Sequence, residues 1–274
     1  MPYLRHPLIR DGDPADIRVL QTRRLYDYLQ FVANLEAKVV NVGTLAVALD
    51  EFDLGLPSAV RLDAWKIYCD EAHHALSSFD MVKQVETATG VPVLGYDFEP
   101  TLRQLRQAAE PLQQRAPGLA AILDVVVFET VVTSLLGDIP GDPTVVTAIR
   151  EVVGDHARDE RLHHAFYTRF FTYLWGRLDP ATRELAARAL PAILTACLRP
   201  DLPAFRRHLS AAGFDAPHAG AILGETYTEA AVLAEIRQSA RYTLRMFANH
   251  GIFDLPGARE AFVRAGLLNE GELR

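Results

Sequence analysis

Apolar residues recur at helical spacing along nearly the whole chain. Leu25, Tyr28, Leu29, Val32, Leu35, Val39 and Val42 predict a helix over about 17–50. Gly55 and Pro57 break that pattern, and Ser58 is placed to cap a second helix reaching about Thr89. Gly90-Val91-Pro92, Gly95 and Pro100 mark a loop, followed by a short helix near 101–110. Past Pro117-Gly118 comes a strongly apolar helix over about 119–137, centred on Val125-Val126-Val127-Phe128-Glu129. The Gly- and Pro-rich stretch from Gly137 to Pro143 ends it, and a long helix follows over about 143–177. Further helices are expected at about 180–199, 201–212, 216–249 and 256–267, with Pro180, Pro200, Pro217 and Pro256 at their starts. Residues 1–16, with Pro2, Pro7 and Pro14, read as an irregular lead-in. No low-complexity linker divides the rest, so 17–274 is expected to be a single all-α domain. The β-branched runs at 39–42 and 125–127 sit inside longer helical patterns, where context overrides strand propensity.

Composition narrows the function classes. The 274 residues are 49% hydrophobic, enough for a sizeable core, and carry a net charge of −7. No basic run points to nucleic acid or an anionic membrane. No uncharged apolar run approaches the roughly 18 residues of a membrane span. The N-terminus lacks an apolar signal core, and two cysteines, Cys69 and Cys197, are too few for a disulfide framework. A cytoplasmic protein is expected. Cys69 is expected to be a small buried hydrophobe.

The chain repeats one phrase. Asp70-Glu71-Ala72-His73-His74 and Asp159-Glu160-Arg161-Leu162-His163-His164 both contain Asp-Glu-x-x-His. A Glu and a His three apart share a helix face, so each phrase offers a carboxylate and an imidazole to one point. Two such motifs, plus one Glu from each of two further helices, make a dinuclear iron or manganese site in a four-helix bundle. Glu129 supplies one of those carboxylates. It lies within VVVFETVVTSLL, where an uncompensated buried charge is costly. Glu36, in FVANLEAKVV, is the candidate on the first long helix. The chain then reads as two helical hairpins with ligands at matching places. His156 stands four before Glu160 and seven before His163; the three fall within about 60° on one helix. Such mixed imidazole and carboxylate ligation suits iron with open positions. Asp70 and Asp159 are assigned to the outer ring of the site, each fixing the histidine of the opposite hairpin. His73 and His164 point about 100° away from their neighbouring ligand histidines. Asp124 and Asp155 read as helix-surface charges. Phosphate-loop, G-x-S-x-G and H-E-x-x-H motifs are absent.

The ordered set Glu36, Glu71-x-x-His74, Glu129, His156-x-x-x-Glu160-x-x-His163 resembles the p-aminobenzoate N-oxygenase (AurF-like) family of ferritin-like di-iron oxygenases. The resemblance covers about residues 20–250; its distinguishing element is the third histidine, His156, and GDIP at 137–140 and DHARDERLHH at 155–164 read similarly. It implies a ferritin-like four-helix bundle core with additional helices, two iron ions (with manganese as the alternative metal), and O₂ as co-substrate. It also implies N-oxygenation of an aromatic or related small-molecule amine in natural-product biosynthesis, and a homodimer. Electrons would come from an external reductase or ferredoxin-like carrier, since no flavin or nicotinamide site is visible. Substrate-contacting residues are not matched; Arg241 and Arg245 fit a surface or dimer salt bridge better than a substrate carboxylate. Three other readings stay open. One is a di-iron C–H hydroxylase or desaturase, possibly on a carrier-tethered substrate. Another is an iron-storage or ferroxidase protein. The third is a radical-generating reductase subunit, weakened by Ser78 where a tyrosine is wanted, although Tyr68 and Tyr167 lie near the site in sequence.

Overall fold

Four long helical stretches form the bundle that carries the site. The first runs from α2 (Pro14–Leu35) through a π-helical turn (Glu36–Val40) into α3 (Asn41–Leu49). The others are α4 (Ser58–Thr89), α6 (Leu119–Leu136) and α7 (Thr147–Arg177). In this computed structural model residues 2–116, 118–136, 139–143 and 145–269 are described, with backbone alone at 133–135. Among them there is no strand. Pro117, Gly137 and Asp138, read above as helix breakers, lie outside the described residues.

The hairpin turn after α3 is built by Asp50. Its backbone is left-handed (φ 55°), and its carboxylate accepts from Leu54 N and Leu56 N at 3.0 Å each. A short polar side chain that bonds the following backbone is suited to that conformation. α6 is apolar on every side, and Val125, Val126 and Val127 are fully buried, as expected of a helix enclosed by others. It packs on α3, α7 and α8 (Pro180–Leu198). α3 comes so close that a Cβ on Gly43 would stand 2.6 Å from Ala121 O and from Val125 Cγ1. One window of the Pro14–Leu49 helix is long and apolar enough to cross a membrane, but 61% of that window is buried inside the protein.

Several sequence expectations are corrected. The lead-in is not irregular: Pro2–Arg5 forms a 3₁₀ turn and α1 spans Pro7–Arg10. Pro7 and Pro14 start helices, capped by His6 and Asp13, because proline at the first helical position loses no hydrogen bond. Tyr3 is fully buried and stacks on Phe205 of α9 (Leu202–Ala211), with ring centroids 5.3 Å apart. The short helix near 101–110 is longer: α5 spans Glu99–Arg115 and runs through Pro111. The expected helix over 216–249 is three helices, α10 (Ala216–Thr226), α11 (Glu229–Ser239) and α12 (Arg241–Asn249), with Thr228 capping the second. After a 3₁₀ turn at Ile252–Asp254, α13 spans Ala258–Arg264.

Candidate metal centre

Each bundle helix turns acidic or imidazole side chains inward at one level. Glu36 comes from the π turn, Glu71 and His74 from α4, Glu129 from α6, and His156, Glu160 and His163 from α7; all seven are buried. Two quartets of donor atoms form, Glu71–His74–His156–Glu160 and Glu71–Glu129–Glu160–His163, each with its atoms within 4.8 Å of one another. Glu71 and Glu160 belong to both, so each would be a donor to either of two ions. Glu36 joins the first quartet, with Oε1 3.8 Å from His156 Nε2. His156 lies over His74, ring centroids 3.8 Å apart. Glu129 Oε2 lies 3.9 Å from His163 Nδ1, on the second quartet's side.

The donors fit a cation better than they fit one another. His163 Nδ1 and Glu71 Oε1 approach to 2.6 Å, yet neither atom makes a hydrogen bond. Glu129 Oε2 and Glu160 Oε2 are also buried without a hydrogen-bond partner. Orphaned polar atoms at such a depth carry a large desolvation cost. Burial, and then the neighbouring carboxylates, push Glu36 and Glu129 well above the usual carboxylate range. Burial opposes ionisation of Glu71 too, but the facing imidazoles of His163 and His74 hold it well below that range. Burial lowers and Glu71 raises His163, which ends at about 9. Two divalent ions would balance the four carboxylates with neutral imidazoles, the form in which histidine ligates metal.

Both phrase histidines face the cluster through Nδ1 and face outward through Nε2. His74 Nε2 lies 3.2 Å from Asp159 Oδ2, and His163 Nε2 lies 3.3 Å from Asp70 Oδ2. Each aspartate therefore reaches across to the other hairpin. A carboxylate on the outer nitrogen fixes the tautomer that leaves the inner nitrogen free to ligate.

Other residues were not singled out by their spacing. Asn41 is buried where the π turn passes into α3. Its amide lies across the turn of α4 that carries Glu71, with Nδ2 donating to Tyr68 O (3.1 Å) and Oδ1 accepting from Ala72 N (3.3 Å). Tyr167, fully buried one turn beyond His163, shares a 2.6 Å hydrogen bond with Thr44. Thr243 of α12 donates to Thr130 Oγ1 at 3.0 Å, tying α12 to α6 beside Glu129. Tyr28 carries a buried, unpartnered hydroxyl that feels the charges of Glu36 and Glu160. Its apolar spacing marked it only as core.

The remaining residues fall away from the cluster. His164 is half-buried against the backbone of Glu129 and Thr130, and burial lowers its pKa. His73 is exposed beside Ser77. Asp155 is an exposed partner of Arg158. Asp124 corrects the surface reading: its Oδ1 is buried without a partner, and burial raises its pKa to about 7. Cys69 is exposed, not buried. Arg241 and Arg245 are exposed; Arg241 donates to Gln238 O at 2.8 Å and stacks on Tyr242.

The family model described as p-aminobenzoate N-oxygenase AurF matches residues 1–251. The chain belongs to the p-aminobenzoate N-oxygenase family. That family has a ferritin-like helical di-iron fold, and its members are oxygenases. The helices that bring Glu36, Glu71, Glu129 and Glu160 together are this chain's version of that bundle. No curated protein matches the chain.

Proposed function

We propose that this p-aminobenzoate N-oxygenase family member is an O₂-dependent enzyme that oxygenates the nitrogen of an aromatic or related small-molecule amine at a di-iron centre. The observation that carries the reading is the third imidazole. His156 stands with His74, Glu36, Glu71 and Glu160 around one position, while His163 and Glu129 face the other. Iron is the better fit to three imidazoles and four carboxylates, with manganese the alternative.

In this reading Glu71 and Glu160 would serve both ions, Glu36, His74 and His156 would complete one position, and Glu129 and His163 would complete the other. When bound, the iron pair supplies the capacity to activate O₂. The protein's own part is to hold the donors rigidly and keep bulk water away. The first oxygenation places one atom of O₂ on the amine nitrogen, giving a hydroxylamine. The other atom leaves as water, which takes up two protons and two electrons from a separate reductase or small carrier. Further rounds give nitroso and nitro products.

The test is reconstitution with ferrous iron, then O₂, a chemical reductant and p-aminobenzoate or related arylamines, with products identified by mass and by isotope from ¹⁸O₂. Label on nitrogen supports the reading. Label only on carbon, or no oxygenated product from any amine while two irons are bound, sinks it.

A further inference from the structure

Asn41 is bonded to the backbone beneath two of the donors at once. Its own N–H donates to Glu36 O, five residues back, and so closes the π turn on the residue that carries the first carboxylate. Its side-chain amide spans Tyr68 O and Ala72 N, at 3.1 and 3.3 Å, the two ends of the α4 turn in which Glu71 lies. The amide has one orientation there, since a carbonyl oxygen can only accept and a backbone N–H can only donate. Asn41 is buried, and an apolar side chain would suit burial better. The two bonds, and not the burial, account for an amide at this place.

The widened turn is what delivers the amide. In an uninterrupted α-helix the N–H of Val40 would reach Glu36 O, and a valine side chain would stand one turn below Glu36. The bond from five residues on moves Asn41 into that place instead. Glu36 and Asn41 then both reach α4. The Glu36 carboxyl group faces that of Glu71, and the amide holds the backbone on either side of Glu71.

Both metal positions would use Glu71, but Glu36 joins only the first, with His74 and His156. The span from Glu36 to Glu71 is therefore a dimension of the first position alone. In the second, Glu71 meets Glu129 of α6 and His163 of α7. There the 3.3 Å contact between Asp70 and His163 ties α4 to α7 without Asn41.

We propose that Asn41 is a positioning residue that sets the spacing of Glu36 and Glu71 and thereby the affinity of the first metal position, leaving the second to the contacts between α4 and α7. The assignment rests on the two-ion reading of the cluster and is independent of the substrate. A residue that served packing alone would affect both positions alike, through the stability of the bundle.

Asn41→Leu keeps the branched shape and removes both side-chain bonds. Anaerobic titration of the full-length protein with ferrous iron should give two equivalents for the wild type. In Asn41→Leu one equivalent should bind as before and the other about 10–100-fold more weakly. A double variant identifies the position. His156 belongs to the first quartet, so adding Asn41→Leu to His156→Ala should leave the remaining equivalent as tight as in His156→Ala alone. Hydrogen exchange on the metal-free protein reads the anchor itself: the Ala72 amide should exchange measurably faster in Asn41→Leu, and amides of α6 and α7 should exchange as before. Should Asn41→Leu fail to fold, Asn41→Ser, whose hydroxyl is too short to span both groups, is read in the same way. Equal weakening of both equivalents, two equivalents bound as in the wild type, a double variant weaker than His156→Ala alone, or unchanged exchange at Ala72 overturns the proposal. Wild-type protein that binds fewer than two equivalents fails the two-ion reading itself, and this assignment falls with it.

Discussion

Asp159 of α7 lies 3.2 Å from the outer nitrogen of His74 on α4, and the reciprocal pair, Asp70 and His163, repeats the contact in the opposite direction at 3.3 Å. The two hairpins are thus latched by the same residues that orient the inner nitrogens. The carboxylates are still close to half exposed, so their burial cost is small and their substitution should leave the fold intact. Asp159→Ala is expected to lower iron affinity about 10–100-fold, with helix content unchanged. Competition against a ferrous chelator measures it, and wild-type affinity would remove Asp159 from the site.

His156 belongs to one quartet and not the other. His156→Ala should therefore divide the two irons, leaving one tight equivalent and weakening the second by at least tenfold. Anaerobic titration with ferrous iron reads this directly. Two equivalents bound as tightly as before would show that the third imidazole is not a ligand.

Gly43 is fixed by proximity, since any Cβ there meets both Ala121 O and Val125 Cγ1 at 2.6 Å. Backbone cannot give way as a side-chain tip can. Gly43→Ala should cost about 1–3 kcal/mol by forcing α3 from α6, visible as a melting temperature several degrees lower. An unchanged melting temperature would mean that the helices are free to part.

Asp124 makes stability depend on pH. Burial raises its folded pKa to about 7, above the ordinary aspartate value of 3.8, so the native state holds the proton more tightly than the unfolded chain does. Its stabilising contribution is complete below about pH 4 and is lost as pH rises to about 7. Asp124→Asn should match the wild type near pH 4. By pH 8 it should be the more stable protein by on the order of 1–3 kcal/mol. Thermal melts across that range would expose the opposite trend, or none, at once.

Much of the bundle could be read from the chain because its signals are periodic. The apolar spacing around Leu29 and Val32, the repeated Asp-Glu-x-x-His phrase, and Glu129 amid the valines of an apolar helix are local patterns with one physical explanation each. Other features depend on contacts that spacing does not encode. Pro7 and Pro14 look like breakers but stand where a helix begins, and the break at Thr228 hides in an otherwise continuous pattern. The exposure of Cys69 depends on which face of α4 the other helices leave uncovered, and the burial of Asp124 on helices distant in sequence. The amide of Asn41 reaches α4 only because the chain has turned back at Asp50.

The π-helical turn at Glu36–Val40 has a consequence for how this helix can change. A wider turn holds one residue more than an α-helical turn, so the segments on either side are out of phase by about 100° relative to an uninterrupted helix. α2 sets the direction of Glu36, while α3 sets the direction in which Gly43 meets α6. The extra residue absorbs the mismatch. Deleting any one residue between 36 and 40 would rotate one half of the helix against the other, turning either the carboxylate from its companions or the glycine from its contact. No point substitution can reproduce that rotation or undo it, so the length of this short stretch constrains the site as firmly as any of its side chains.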